Sequence, residues 1–158
     1  MFERYSQRAR ILIFLALDVA RKRGGDYIEL EDLLEAIIRE DRGEFPSIFA
    51  EAIHSGSFAT PAAAGFFPET AAQALLSALD TRPRGSQIRS GDMPLSRAVK
   101  NALARAAENT GDGKISVIEP LHLLEAIVED RESRLAQLLR DNSITRQRVA
   151  VALGRLPG

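Results

Sequence analysis

The chain has 158 residues, of which 45% are hydrophobic, and its 21 basic and 22 acidic side chains leave a net charge of −1. This length allows one domain with a hydrophobic core or two small packed lobes, and the balanced charge gives no overall attraction to nucleic acid or to an anionic membrane. The lack of cysteine excludes disulfides and thiolate metal sites, and the two histidines, His54 and His122, have no further ligands near them in the sequence, so we expect no metal and no cofactor.

The first predicted helix begins after Ser6, a suitable N-cap, and ends at Gly24 and Gly25. Apolar residues recur in it at the spacing of one buried face: Ala9, Leu12, Ile13, Ala16, Leu17 and Ala20. A second apolar flank, formed by Ile11, Phe14 and Leu15, indicates that the helix lies between other elements. The longest apolar run, residues 11–17, is too short to span a bilayer, so we expect a cytoplasmic protein.

Three more helices are predicted before residue 80, at residues 31–39, 46–53 and 69–79, and Pro46 suits the first turn of the second of them. Glu40 and Asp41 are interpreted as a solvated helix end. Residues 54–68 have an irregular composition with three phenylalanines, Phe58, Phe66 and Phe67. We favour a role for these rings in sealing the core, and the alternative is that they line a groove for a partner.

A polar linker at residues 80–95 carries Arg82, Arg84 and Arg89, and Arg97 follows it. These arginines support a weaker alternative function, nucleic-acid binding. Four further helices are predicted at residues 96–109, 119–129, 133–140 and 145–156, which gives about eight helices and no sheet.

The residues LLEAI occur twice, at 33–37 and again at 123–127, an offset of 90 residues. Ser6 and Ser96, as well as Ile28 and Ile118, match at the same offset without a gap. A fixed repeat indicates one supersecondary unit used twice. We therefore predict a single all-α domain over residues 1–158, with pseudo-twofold symmetry between two four-helix units: repeat one at 1–79, the linker at 80–95, and repeat two at 96–156.

Candidate catalytic motifs are weak. Residues 110–114 are similar to the end of a phosphate-binding loop, but the preceding glycine is missing and Ile115 replaces the required Ser or Thr. We expect His122 to be partly buried and bonded to backbone. A hydrolase built on Glu31 or His122 is the weakest alternative, and we predict that the chain is not an enzyme.

Two stretches resemble the N-terminal domain of the Clp unfoldases, which are ATPases that feed proteases or disaggregate proteins. Residues 2–9, FERYSQRA, resemble its opening. Residues 27–34, YIELEDLL, resemble its signature of tyrosine, isoleucine, glycine, threonine, glutamate, histidine and two leucines, and residues 122–124 repeat the end of that signature.

The resemblance implies a bundle of two four-helix repeats without catalysis of its own. It implies a module that recognises protein substrates or adaptor proteins and passes them to Clp ATPase and protease components. The chain is then either part of a longer unfoldase or a free-standing adaptor or accessory subunit. Three phenylalanines are candidate contacts for such a partner: Phe14, Phe66 and Phe67.

Some Clp family members bind phosphoarginine in two equivalent pockets, and the resemblance places Arg4, Ser6 and Glu31 at the corresponding positions of the first repeat. A carboxylate beside a guanidinium is chemically suitable. The second repeat keeps Ser96 but has Leu121 in place of the glutamate. Pro94 stands where Arg4 would be, so this second pocket is predicted to be lost. Glu29 and Leu30 replace the signature's Gly and Thr, which places an extra negative charge near any phosphate in the first pocket.

Overall fold

The computed structural model describes residues 3–44, 65–83, 85, 92–110, 117–130 and 133–155. These ranges contain seven α-helices and no strands, which confirms the all-α prediction. The helices are α1 (Gln7–Arg23), α2 (Leu30–Asp41), α3 (Glu69–Asp80), α4 (Arg97–Asn109), α5 (Pro120–Glu129), α6 (Arg134–Asp141) and α7 (Arg146–Ala152). The helix predicted at residues 46–53 and the ring of Phe58 lie outside the described residues.

Helix α1 begins and ends where the sequence predicts. The Ser6 hydroxyl accepts the N–H of Ala9 at 3.1 Å, and Gly24 adopts a left-handed conformation with φ 76° that ends the helix. The buried face differs from the predicted stripe, because Ile13 and Leu17 are only partly buried. The buried residues of α1 are Ala9, Ile11, Leu12, Leu15, Ala16 and Ala20.

The repeated LLEAI segments form the centre of the core. In α2 the side chains of Leu33, Leu34 and Ile37 are at most 2% exposed, and in α5 those of Leu123, Leu124 and Ile127 are fully buried. Both segments belong to one continuous cluster of buried apolar residues. Helix α2 packs mainly against α1, and α5 packs against α4, α6 and α7.

Two short backbone bridges tie the repeats together. In the first, Ser6 N–H donates to the Ile118 carbonyl at 3.0 Å, and Ile118 N–H donates to the Arg4 carbonyl at 2.8 Å. The second bridge has the same two bonds at positions shifted by 90 residues: they join Ile28 to Pro94 and Ser96, each at 3.0 Å. Each repeat therefore pairs the segment before its first helix with the segment before the other repeat's second helix.

The charged end of α2 is buried, so its interpretation as a solvated helix end is wrong. Glu40 is 1% exposed and accepts two hydrogen bonds from the Arg8 guanidinium, at 2.5 and 2.9 Å. Asp41 is 5% exposed and accepts the backbone N–H groups of Phe66 and Phe67, both at 3.0 Å. Helix α1 and the segment before α3 cover this end, and they supply the donors that buried carboxylates need.

The last helix is shorter than predicted. Helix α7 ends at Ala152, and Gly154 has φ 77°, a left-handed conformation that stops a helix at low steric cost. The predicted continuation to residue 156 is therefore wrong, because Gly154 ends the helical conformation. The chain beyond the helix instead places Arg155 against α5, where its guanidinium donates to the carboxylate of Glu125.

Candidate protein-binding surfaces

The two serines at the candidate ligand positions cap helices. Ser6 caps α1, and the Ser96 hydroxyl accepts the N–H of Val99 at 3.2 Å at the start of α4. Each hydroxyl uses an acceptor lone pair for this bond and keeps its O–H as a donor. Both serines are partly exposed and lie next to the bridges between the repeats.

Arg4 and Glu31 lie on different segments, Arg4 before α1 and Glu31 in the first turn of α2. The Arg4 guanidinium donates to the Thr110 hydroxyl at 2.9 Å, at the C-terminal end of α4. Glu31 is partly exposed in the first turn of α2, where the helix dipole favours a negative charge. The pKa of the Arg23 guanidinium is raised mainly by its bond to Asp32, and Glu29 and Glu31 add to this rise. Glu31 and Glu29 therefore both act electrostatically on the Arg23–Asp32 ion pair.

Phe66 and Phe67 fulfil the core-sealing role that the sequence favours. Their rings meet edge to face with centroids 5.3 Å apart, Phe67 is 5% exposed, and Phe66 packs against the core. The Arg148 guanidinium of α7 lies 5.9 Å from the Phe66 ring centroid. Through this contact the Phe66 ring lies beside the last helix of repeat two.

Phe14 is the one member of the predicted apolar flank that reaches the surface. It is 57% exposed, whereas Ile11 and Leu15 are at most 3% exposed. Tyr27 and Val117 are the other strongly exposed large hydrophobic residues in the described ranges, at 50% and 48%, and they lie 90 residues apart. An aromatic ring held on a rigid helix is a typical anchor for a protein partner.

A groove that the sequence did not reveal lies between α1, α2 and α3, with a volume of about 890 Å³. Part of its lining is apolar: Leu15, Val19, Leu76 and Leu79. Its charged lining contains four basic and four acidic side chains: Lys22, Arg23, Arg39, Arg82, Asp18, Glu35, Glu44 and Asp80. None of the candidate ligand or partner residues lines it. The balanced charges suit neither a purely anionic nor a purely cationic ligand.

A buried ion cluster borders this groove. The carboxylate of Asp32 is fully buried and is held by Arg23 at 2.7 Å and by Arg82 at 2.9 Å. Arg82 also lies 3.5 Å from the Glu35 carboxylate. Of the linker arginines considered for nucleic-acid binding, Arg82 is thus engaged inside the protein, with 18% of its side chain exposed. Arg84 and Arg89 lie outside the described residues.

His122 is half-buried and bonded to backbone, as predicted. Its Nδ1 accepts the N–H of Glu119 at 2.9 Å. Burial lowers the pKa of this imidazole, Arg155 lowers it further, and Glu119 opposes them.

Within the described ranges, no group of three or more His, Asp or Glu side chains is arranged to hold a metal ion. No helix in this part of the chain has the length and apolar character needed to cross a membrane.

The fold and its surfaces define a class: an all-helical domain of two interlocked repeats that presents an exposed aromatic residue and a charged groove. The sequence matches the family described as the Clp repeat (R) N-terminal domain over residues 4–142, and the chain belongs to that family. A search of curated proteins by sequence finds no match.

Solved structures with the same fold include three N-terminal domains of low sequence identity. That of Hsp104 from Candida albicans is 14% identical, with a TM-score of 0.64 and coverage of 98% of this chain and 94% of that one. That of the caseinolytic protease associated chaperone ClpD from Arabidopsis thaliana is 23% identical, with a TM-score of 0.62 and coverage of 100% and 97%. That of the ClpV1 ATPase from E. coli is 17% identical, with a TM-score of 0.60 and coverage of 95% and 83%.

Proposed function

We propose that this chain is a non-catalytic protein-binding module that recognises protein substrates or adaptor proteins for a Clp-type ATP-dependent unfoldase or protease in the cytoplasm. The observation that carries the proposal is the family match over residues 4–142, which spans both repeats. The two forms of the proposal, a domain of a longer unfoldase and a free-standing adaptor, differ in the coding sequence that follows residue 158.

The surface of α1 around Phe14 is the proposed contact for the partner. Phe14 is 57% exposed on a helix whose opposite face is fixed in the core, so its ring is available at a small entropic cost of binding. Removing an aromatic anchor from an interface weakens binding by tenfold or more. Replacement of Phe14 should leave the fold intact, because its exposed ring contributes little to the core.

Binding of a permanently unfolded protein, such as reduced and carboxymethylated casein, tests the proposal by fluorescence anisotropy. We expect binding that Phe14→Ser weakens by about tenfold. Val117→Ser is the matched control, since Val117 is a comparably exposed apolar residue, at 48%, on the segment before α5, and it should change the affinity less than about twofold. Equal weakening by both variants would exclude Phe14 as the anchor, and no binding of the unfolded protein would remove direct substrate recognition.

The phosphoarginine pocket at Arg4, Ser6 and Glu31 stays a prediction. Calorimetry with free phosphoarginine tests it, with Glu31→Gln as the variant that should abolish any heat of binding. An absence of heat with the unmodified chain at millimolar ligand would exclude the pocket.

A further inference from the structure

The two repeats cap their second helices with different side chains at equivalent positions. In repeat one, the Asp32 carboxylate accepts the Glu29 N–H at 2.8 Å. In repeat two, 90 residues later, the imidazole Nδ1 of His122 accepts the Glu119 N–H at 2.9 Å. A side chain three positions into a helix that bonds back to the N-cap N–H satisfies one of the free donors at the helix start.

The two acceptors respond differently to acid. An imidazole nitrogen accepts a hydrogen bond only when it carries no proton, so this cap requires neutral His122 with its proton on Nε2. The ionised Asp32 carboxylate has acceptor sites for several donors at once, so it accepts the Glu29 N–H together with bonds from Arg23 and Arg82 at 2.7 and 2.9 Å. The cap of repeat two therefore depends on an unprotonated imidazole, whereas the acceptor in repeat one is a carboxylate held between two arginines.

The capped N–H lies directly beside one of the bridges between the repeats. Ile118, the residue before Glu119, exchanges hydrogen bonds with Arg4 and Ser6 of repeat one. Ile28, which forms the other bridge, stands in the same position relative to the Asp32 cap. Each bridge thus ends at a capped helix start, and the two starts have different acceptors.

We propose that His122 makes one of the two inter-repeat bridges acid-labile: protonation of its imidazole breaks the Glu119 cap and loosens the Tyr5–Ile118 bridge, while the Ile28–Leu95 bridge persists. The charged groups that face the imidazole are Arg155, which follows α7, and Glu119 on its own segment. Glu125 holds Arg155 in place, and Arg8 of α1 acts electrostatically with Glu119. The positive charge of Arg155 disfavours a second positive charge on the His122 imidazole, so protonation of the imidazole destabilises this part of the fold more strongly.

The direction of the pH effect follows from the pKa. Because the pKa of His122 is lowered in the folded chain, the unfolded chain binds the proton more readily. The free energy of unfolding therefore falls as the pH drops below about 6.5, the ordinary histidine value. The stabilisation is fully present above that pH and is lost as the pH falls through the lowered pKa of the folded state.

Amide hydrogen exchange by NMR on the 158-residue chain at pH 7.5 and 5.5 tests the proposal, with rates corrected for intrinsic exchange. Protection of the Ser6, Ile118 and Glu119 amides should fall about fivefold at the lower pH, the factor that corresponds to one lost helix cap. Protection of the equivalent amides should change less than about twofold: Ile28, Glu29 and Ser96. An equal loss at both bridges, or at neither, would overturn the proposal.

Two variants separate this histidine from general acid sensitivity. His122→Asn keeps an uncharged acceptor at the same distance from the backbone. The difference in amide protection between the two bridges should therefore no longer depend on pH. His54→Gln removes the other histidine of the chain and should leave the difference unchanged. A pH-dependent difference that survives in His122→Asn, or disappears in His54→Gln, would contradict the assignment.

The imidazole nitrogens of the unmodified chain provide a readout that needs no variant. Their ¹⁵N shifts should identify the Nε2–H tautomer at pH 7.5 and a titration midpoint below about 6.5. The Ser6 and Ile118 amide shifts should follow the same midpoint. An Nδ1–H tautomer, or bridge amides that do not respond across the imidazole titration, would overturn the proposal even if His122→Asn fails to fold.

Discussion

At the scale of single residues, Asp41 holds two backbone N–H groups inside the protein. Its replacement by Ala leaves the amides of Phe66 and Phe67 without an acceptor, so we expect the free energy of unfolding to fall by about 3 kcal/mol. Urea unfolding followed by circular dichroism measures the change. Asp141→Ala, at the exposed end of α6, is the control and should stay within about 0.5 kcal/mol. A loss below about 1 kcal/mol for Asp41→Ala would mean that water replaces the carboxylate.

Glu40 gives a second residue-scale prediction, since Arg8→Ala leaves its buried carboxylate without a partner. Breaking a fully buried pair costs roughly 3–5 kcal/mol, and because 36% of the Arg8 side chain is exposed we expect about 2 kcal/mol. Adding Glu40→Gln to Arg8→Ala should restore part of that stability, since the buried charge is gone. The measurement is a double-mutant cycle by urea unfolding. Strictly additive losses would show that the two groups do not interact.

The burial of these two carboxylates was not predictable from local pattern. Glu40 and Asp41 end an amphipathic helix beside charged residues, which is the usual pattern of a solvated end. Their partners lie 32 residues away in Arg8 and 25 and 26 residues away in Phe66 and Phe67. Phe14 shows the opposite case. It belongs to the same predicted apolar flank as the buried Ile11 and Leu15, but tertiary packing, which the spacing does not show, leaves its ring exposed.

At the scale of elements, the equivalent caps of α1 and α4 should contribute equally. Ser6→Ala and Ser96→Ala each remove a hydroxyl that accepts a backbone N–H, so each should lower the free energy of unfolding by about 1 kcal/mol. Ser77→Ala on the exposed face of α3 is the control, with an expected change within about 0.5 kcal/mol. Thermal unfolding of the three variants gives the comparison. A loss confined to one cap would show that the repeats do not share the stability of their first helices.

Local signals predicted most helix boundaries. Serine before the apolar pattern and glycine after it marked both ends of α1, and Pro120 marked the start of α5. The end of α7 was missed although Gly154 carried the same signal as Gly24. Local pattern did not predict that the glutamates of the two LLEAI segments both pair with an arginine. Glu35 lies 3.5 Å from Arg82, and Glu125 is bonded to Arg155. Each pair connects the second helix of a repeat to the chain that follows its last helix.

At the scale of the whole molecule, the offset of 90 residues predicted the duplication and the shared core. The offset did not predict that short segments of the two repeats pair through their backbones, because backbone hydrogen bonds leave no pattern in the side chains. Nor did it reveal the groove between α1, α2 and α3, whose shape depends on how those three helices cross. Repeats that share both a core cluster and two bridges have little means of unfolding separately.

Cooperative unfolding of both repeats is therefore the prediction for the whole molecule. Tyr5 and Tyr27, the two tyrosines of the chain, lie in repeat one, and Tyr5 also forms the bridge to Ile118. Tyrosine fluorescence therefore follows repeat one and this bridge, while far-ultraviolet circular dichroism follows all helices. The two urea transitions should coincide. Leu124→Ala, in the fully buried centre of repeat two, should lower the midpoint seen by tyrosine as much as the midpoint seen by circular dichroism, with a loss of about 3 kcal/mol. Leu34→Ala is the equivalent change in repeat one and should act alike on both probes. A Leu124→Ala variant that unfolds by circular dichroism while its tyrosine signal stays native would show that repeat one folds independently.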